Sequence, residues 1–228
     1  MKNKIAQAVI LAYPQVIKYL SDDALRGVKT FDSYFRQLWK MVKQLYSTFI
    51  TRFDFASALA DIVKQQITRA YREALRDEGL DPNLVKTQYA DNVQNIVLAE
   101  YEHIDILAID IEIASVQQKG YEQFRNRVTM WANRYDDAYN RAIADIALES
   151  GQKMMWVLGA TEAHCETCAA LNGIVAPASV WDELGVKPQQ PPNAAIECGG
   201  WQCDCSLEIT DKRATPNAKD KIQRVRYG

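Results

Sequence analysis

The 228-residue chain lacks a long hydrophobic run, a large net charge and the signature loops of several enzyme classes. No window of eighteen or more apolar residues is present, so the sequence predicts no transmembrane helix and no membrane partner. The net charge of −2 provides no overall attraction to nucleic acid or to anionic lipid. We find no phosphate-binding glycine loop, no G-x-S-x-G and no H-E-x-x-H, so the sequence predicts no enzyme of those kinds.

The amino terminus has one uncharged run, Ile5–Ile17, which follows Lys2 and Lys4. It has two interpretations, a weak signal peptide and a first core helix. Glutamines and a proline inside the run, with no clear small-x-small cleavage site after it, favour the core helix. The cysteine usage likewise favours a reducing compartment.

Charge is distributed unevenly along the chain. Residues 1–155 carry 20 basic and 20 acidic side chains, residues 156–210 carry one and seven, and residues 211–228 carry six and two. With 48% hydrophobic and 25% charged residues, the chain has the composition of a folded protein. We predict a long-helix domain over 1–151, a cysteine-rich zinc-knuckle domain over 152–210 and a basic C-terminal tail over 211–228.

Hydrophobic residues in the first domain recur at steps of three and four, which indicates amphipathic helices. The first such row runs from Phe31 to Phe49, with Thr30 as a candidate N-cap. A second helix is predicted from an Asp54 cap to a stop at Gly79. Its apolar face is formed by Phe55, Leu59, Ile62, Ile67, Tyr71 and Leu75.

Two further helices are predicted downstream. Asp81-Pro82 is typical of a helix start, so a third helix is predicted from there. The stretch Ile104–Ile113 partly alternates as a strand would, but the absence of turn residues on both sides favours helix. Gly120 is predicted to interrupt the helical stretch, and a fourth helix is predicted over 121–151. The predicted fold is mainly α: a bundle or elongated hairpins whose aromatic side chains pack the core, followed by a small α+β domain with short strands.

The sequence pattern changes after Gly151, from long helical periodicity to short apolar runs, prolines and cysteines. Met155–Leu158 and Ser206–Ile209 are predicted strands, and a proline-rich loop lies between them. All five cysteines fall in this region, in the pattern C-x2-C-x29-C-x4-C-x-C. A C-x2-C turn presents two thiolates to one metal ion, and a distant cysteine group closes a tetrahedral site. Such a site pins the ends of the loop together, and thiolate-rich tetrahedral sites favour zinc.

Five cysteines compete for four positions in the predicted site. Cys165 and Cys168 form the first pair and Cys203 comes next, while Cys198 and Cys205 compete for the fourth place. His164 is a possible substitute for one of them. A closed four-ligand zinc has no open position for water, so the expected Zn²⁺ is structural and the chain is not expected to be an enzyme.

Other interpretations of the cysteines have weaker support in the sequence. Unligated thiols or a disulfide are the alternatives to zinc. His164-Cys165-Glu166 matches the H-x-E of zinc deaminases, but the separate downstream P-C-x-x-C that those enzymes need is missing. A redox C-x-x-C needs a βαβ context, which the flanks do not offer. A metal-dependent hydrolase would need an open coordination position and a nearby base.

The cysteine segment resembles a known family. Trp156-Val157-Leu158-Gly159-Ala160-Thr161-Glu162, followed by His164-Cys165-x-x-Cys168-x-x-Leu171-x-Gly173, is similar to the cysteine knuckle of tailed-phage minor head proteins, the Mu F-like head-morphogenesis family. Cys198-Gly199-Gly200-Trp201-Gln202-Cys203-Asp204-Cys205 resembles the family's terminal C-x-C motif. Many members have His-Pro-x-Cys-Arg-Cys there, whereas this chain has Cys198 upstream instead of that histidine and Asp204 instead of the arginine.

The resemblance implies a minor capsid role, with the chain docked near the portal vertex inside the head and assisting assembly or DNA delivery. The implied partners are the portal or major capsid protein, and the implied location is the virion, with the host cytoplasm during assembly. The basic tail has two interpretations, contact with packaged DNA through phosphates and a solvated, mobile terminus. Its cations are Lys212, Arg213, Lys219, Lys221, Arg224 and Arg226.

A zinc-knuckle adaptor that binds nucleic acid is the alternative function. Zinc modules of that kind carry basic residues near the knuckle, and residues 156–210 have one lysine against seven acids. The sequence therefore favours the phage-head interpretation.

Overall fold

The computed structural model describes residues 22–159, 163–190, 193–200 and 205–227, with side chains from residue 31 to residue 225. Within this part the protein is mainly helical with a small three-stranded antiparallel sheet, which confirms that much of the predicted fold class. The chain divides into two compact units: a helical unit that ends at Tyr139 and a cysteine unit that begins at Asn140. The predicted helix over Ile5–Ile17 lies outside the described residues, and the predicted domain boundaries stay predictions.

The described part of the helical unit consists of four helices of 16 to 27 residues and one of eight, and two of the connections between them contain 3-10 turns. Its helices are α1 (Asp22–Tyr46), α2 (Arg52–Asp77), α3 (Ala90–Val116), α4 (Arg125–Ala132) and α5 (Arg134–Glu149), the last of which continues into the cysteine unit. The 3-10 turns cover Pro82–Lys86 and Tyr121–Phe124. The ambiguous Ile104–Ile113 stretch is helical, as predicted.

Two predicted N-caps are wrong. Thr30 lies inside α1, because the helix extends at least from Asp22. Helix α2 is capped by Thr51, whose Oγ1 accepts a hydrogen bond from Asp54 N (3.1 Å), while Asp54 Oδ2 accepts one from Thr51 N (3.2 Å). This reciprocal capping box makes Asp54 the third helical residue rather than the cap. The predicted stop at Gly79 is confirmed, with φ +71°.

The third and fourth predicted helices are each interrupted. Asp81 caps a 3-10 turn and not a long helix, and α3 begins only at Ala90. The predicted helix over 121–151 is divided at Asn133 into α4 and α5. At this break the Gln66 side chain donates to Ala132 O (2.8 Å), and a tertiary contact thereby satisfies a carbonyl at the helix end.

The apolar faces of the long helices form the core of the helical unit. On α1 the buried residues are Tyr34, Leu38, Trp39, Val42 and Leu45, as the spacing predicts. Phe49, predicted on the same face, is 84% exposed, because α1 ends at Tyr46 and the chain turns through Thr48 at φ +58°.

The cysteine unit surrounds the small sheet with short helices. Its elements are β1 (Lys153–Val157), α6 (Glu166–Leu171), β2 (Val175–Pro177), α7 (Ala178–Leu184), β3 (Ser206–Ile209) and α8 (Ala218–Tyr227). Both outer strands pair antiparallel with β1, which places Met154 opposite Ala176 on one side and Ile209 on the other. Strand β3 is confirmed at its predicted bounds, and β1 begins two residues before its prediction. The predicted loop is wrong in part, because it contains β2 and α7.

The cysteine unit has an apolar core of its own. Trp156 of β1 and Trp181 of α7 are fully buried with ring centroids 5.9 Å apart, and Trp181 Nε1 donates to Met154 O (3.2 Å). Helix α8 packs against α6, α7 and β2, and buries Ala218 and Ile222. Residues 218–227 are therefore an integrated helix, in contrast to the mobile-terminus interpretation of the tail.

Candidate metal centre

The first two cysteines lie at the start of α6. Cys165 is the N-cap residue, with extended backbone (φ −66°, ψ 158°), and its Sγ accepts a hydrogen bond from Cys168 N (3.4 Å). Cys168 lies one turn further along and is 1% exposed. Because residues three apart share one face of a helix, the C-x2-C spacing brings both thiols to the same side.

Cys198 lies on a compact turn over 193–200, and its thiol lies beside those of Cys165 and Cys168. Two hydrogen bonds tie this turn to α6: Glu166 N donates to Glu197 Oε2 (2.8 Å), and Glu197 N donates to Thr167 Oγ1 (3.2 Å). Gly199 follows at φ +61° and donates to Ile196 O (2.8 Å). Left-handed backbone suits glycine, so the residue after Cys198 allows the chain to turn back tightly.

The three thiols form a cluster. Among the described His, Cys, Asp and Glu side chains, the Sγ atoms of Cys165, Cys168 and Cys198 all lie within 4.8 Å of one another. Cys168 is buried, and the other two are half-buried. Three soft ligand atoms this close together, on a scaffold held by backbone hydrogen bonds, can hold a metal ion.

The local electrostatics favour the thiolate form of Cys165. Burial acts to raise the pKa of Cys165, but hydrogen bonds from Cys168 and Cys198 outweigh it and hold the pKa below its ordinary value. The thiolate is the form that binds metal. The hydrogen bonds from Cys168 and Cys198 therefore make the Cys165 thiol easier to deprotonate for metal binding.

Cys205 lies beside His164 and outside the three-thiol cluster. Its Sγ is 3.9 Å from His164 Nδ1, its side chain is buried, and its carbonyl accepts a hydrogen bond from Gln189 Nε2 (3.0 Å). Cys203, the remaining predicted ligand, lies outside the described residues. The structure thus brings three of the predicted ligands together and places a fourth next to the histidine proposed as a substitute.

The predicted basic residues lie on the cysteine unit around α8. Lys212 Nζ contacts Met155 Sδ (3.3 Å), and Lys219 Nζ pairs with Glu183 Oε1 (2.5 Å). Arg213, Lys221 and Arg224 are exposed, and Arg226 belongs to the last turn of the helix.

Thr167 and Glu197 connect the two halves of the cluster, and the sequence pattern does not identify either of them. Each is adjacent to a cysteine, and that position is the only signal the sequence offers. Their pairing across 30 residues depends on the fold.

No protein-family model, no curated protein and no solved structure matches this chain. Within the described part of the chain, none of the helices combines the length and apolarity needed to cross a bilayer.

Proposed function

We propose that this protein is a non-enzymatic structural component of a tailed-phage head, a minor capsid or head-morphogenesis protein that docks near the portal vertex. One observation carries the proposal. Cys168 in the first segment that resembles the phage family and Cys198 in the second are thirty residues apart, and their thiols meet with that of Cys165 in one cluster. Convergence is what a shared metal knuckle requires, since neither segment alone supplies enough ligands.

Zinc is the metal that we propose for the cluster. Zn–S bonds of about 2.3 Å place tetrahedral thiolates roughly 3.8 Å apart, so thiols within 4.8 Å need only a small adjustment to bind it. The fourth ligand comes from Cys203, Cys205 or His164. With four protein ligands the zinc is structural, and it joins α6 to the turn over 193–200.

A rigid metal knuckle suits assembly on a multi-subunit ring. The zinc and the Trp156–Trp181 core together give a small unit a fixed shape, because a structural metal supplements a core of limited size. The helical unit offers separate surfaces for a second contact. In this proposal the protein resides in the virion, is assembled in the host cytoplasm, and contacts the portal or major capsid protein.

Co-sedimentation with purified rings of the cognate portal protein tests the proposal. The wild-type chain and Ala169→Ser, a change at an exposed position on the same helix, are expected to sediment with the rings. Cys168→Ser is expected to lose most of this binding, because it removes a ligand of the knuckle. Wild-type protein that stays in the supernatant across the assayed concentrations would contradict the portal assignment.

A nucleic-acid-binding adaptor is the second candidate, and the exposed Lys221 and Arg224 on α8 are available for contact with DNA in either function. A short DNA duplex separates the two functions. A shift with a steep salt dependence that charge reversal of Lys221 and Arg224 abolishes would support contact of α8 with phosphates. A shift that persists after those reversals would favour an adaptor surface elsewhere on the chain.

A further inference from the structure

Helix α3 carries a second apolar face opposite the one it buries. Its inner face packs in the helical unit through Val93, Val97, Ile104, Leu107 and Ile111. On the other side, Leu98, Glu102, Ile106, Ile109, Ile113 and Val116 recur at steps of three and four. We call this row the outer seam. The spacing is that of a helix surface that packs against another helix.

The outer seam is open to solvent along most of its length. Leu98, Ile106 and Ile113 are 44% to 52% exposed, Val116 is 85% exposed, and Ile109 is half-buried. Single exposed apolar residues are common on protein surfaces. Five aligned over 19 residues, about 27 Å along the helix axis, form a continuous stripe of the kind that marks an interaction site.

The charge of α3 distinguishes this stripe from an ordinary packing surface. The helix contains no lysine or arginine and carries six acids: Asp91, Glu100, Glu102, Asp105, Asp110 and Glu112.

Three of these acids pair with arginines of neighbouring helices in the same unit. Arg134 pairs with Glu100 (3.1 Å), Arg127 with Asp110 (2.5 Å) and Arg52 with Asp105 (3.9 Å). Glu102, by contrast, occupies a position within the outer seam itself.

We propose that the outer seam is a docking surface for an amphipathic helix of a partner protein whose apolar row is bordered by lysine or arginine. Apolar side chains along the stripe supply buried area, and the acidic helix selects a basic partner over an acidic one. A second copy would bring two acidic helices together, which like-charge repulsion disfavours. This inference concerns the helical unit and does not depend on the portal assignment.

Binding of two synthetic peptides to the full-length protein, followed by fluorescence anisotropy, tests the proposal. Both peptides are 21-residue helices with the same leucine heptad row; one borders the row with lysine and the other with glutamate. We expect the lysine peptide to bind at least about tenfold more tightly, and its affinity to fall as salt is raised. Equal affinity for the two peptides, or no binding of either, would overturn the proposal.

Matched variants identify the surface that binds. Ile113→Ser and Glu102→Lys alter the outer seam, whereas Met130→Ser changes a side chain of α4 that is 46% exposed. We expect both seam variants to weaken lysine-peptide binding at least about tenfold and Met130→Ser to change it less than twofold, with circular dichroism unchanged for all three. Similar losses in all three, or none in the seam variants, would place binding elsewhere and overturn the proposal.

Two other occupants give distinct results in the same samples. A second copy of the chain would appear as a concentration-dependent dimer that Ile113→Ser dissociates. The chain's own basic amino terminus would appear as zero-length cross-links from Lys2 or Lys4 to Glu102 in protein without peptide. Either result, together with absent peptide binding, would overturn the commitment to an external partner.

Discussion

Individual side chains in the cysteine unit combine a structural role with a position in the candidate metal site. Cys165 caps α6 through its sulfur while its thiol faces Cys168 and Cys198. Thr167 and Glu197 supply the hydrogen bonds that hold the second segment in place. Replacing one of these cysteines therefore removes a candidate metal ligand and, at Cys165, also a helix cap.

Native mass spectrometry of protein purified without chelator tests the metal assignment. We expect one zinc per chain in the wild type and in Ala169→Ser, and none in Cys168→Ser, because Cys168 is the buried member of the three-thiol cluster. Wild-type protein without metal, with a mass lower by two hydrogens, would indicate a disulfide and contradict the zinc site.

At the scale of elements, paired helices are tied by polar contacts as well as by apolar packing. The Tyr135 hydroxyl donates to Glu73, and one turn later the Tyr139 hydroxyl donates to Asp77 Oδ2 (2.8 Å). Both partners of the second hydrogen bond lie four residues after those of the first, so α2 and α5 run parallel at this point. Arg134, at the start of α5, pairs with the buried Glu100 of α3.

The Tyr135 and Tyr139 contacts predict a loss of stability in alkali. Burial, followed by hydrogen bonding to a carboxylate, raises the pKa of both phenols above their ordinary value of 10.0. A raised folded-state pKa contributes stability that is complete below the unfolded value and is lost as the pH rises above it. We expect the urea midpoint of the wild type to fall between about pH 10 and pH 11.

The Tyr139→Phe variant isolates this effect. It cannot ionise, so its urea midpoint should fall less over the same pH range than that of the wild type. Tyr101→Phe, at a 46% exposed position, is the matched control and should follow the wild-type profile. Identical pH profiles for Tyr139→Phe and the wild type would show that this phenol does not contribute.

The Glu100–Arg134 pair predicts a large effect from removing one partner. Both side chains are largely buried, at 8% and 16% exposure, and Trp131 Nε1 also donates to Glu100 (2.9 Å). Arg134→Met leaves the carboxylate without its cation, and we expect a loss of about 3–5 kcal/mol in the free energy of unfolding. Urea denaturation measures this change.

Two comparisons accompany the Arg134→Met measurement. Adding Glu100→Gln should recover part of the loss, since it removes the stranded charge and keeps an acceptor for Trp131. Lys219→Met breaks the exposed pair with Glu183 and should cost less than about 1 kcal/mol. Equal losses in the free energy of unfolding for Arg134→Met and Lys219→Met would contradict the claim that burial makes the Glu100–Arg134 pair more important than an exposed pair.

On the scale of the whole molecule, the two units have different sources of stability. The helical unit buries long apolar faces, from Leu38 on α1 to Ile111 on α3. The cysteine unit has a smaller core around Trp156 and the proposed zinc cross-link. Metal removal should therefore affect the two units unequally.

Hydrogen exchange with and without a chelator tests this difference. In the zinc-loaded protein, we expect chelation to accelerate exchange about tenfold or more in peptides covering β1 to α7, because the metal contributes to the folding free energy of that unit. Peptides from α1 to α3 are the internal control and should change little. Equal acceleration in both units, or none in either, would contradict a metal-dependent cysteine unit.

Much of the helical unit follows from local sequence, because periodicity is a property of neighbouring residues. The spacing from Tyr34 to Leu45 predicts the buried face of α1, and Gly79 predicts the end of α2. The predicted helix bounds are wrong where side chains from distant parts of the chain contact the helix. The break at Asn133 coincides with a contact from Gln66, 66 residues before Ala132, and no local pattern encodes it.

The candidate site likewise has features that local sequence predicts and features that depend on distant contacts. The C-x2-C spacing is local and predicts that Cys165 and Cys168 share one side of a short turn. The choice of Cys198 as the third cluster member, and the separate position of Cys205 beside His164, require the turn over 193–200 and strand β3 to be placed first. The sequence leaves Cys198 and Cys205 as competitors for the fourth position because both are distant from α6 along the chain.

Composition and short-range spacing are enough to predict that the protein is mainly helical, where its long amphipathic rows lie and which segment contains the cysteines. Only the tertiary structure decides which thiols meet, that residues 218–227 fold as an integrated helix, and that α3 presents a second apolar face to solvent. These depend on contacts between segments far apart in the chain, whose energies arise only when the core assembles.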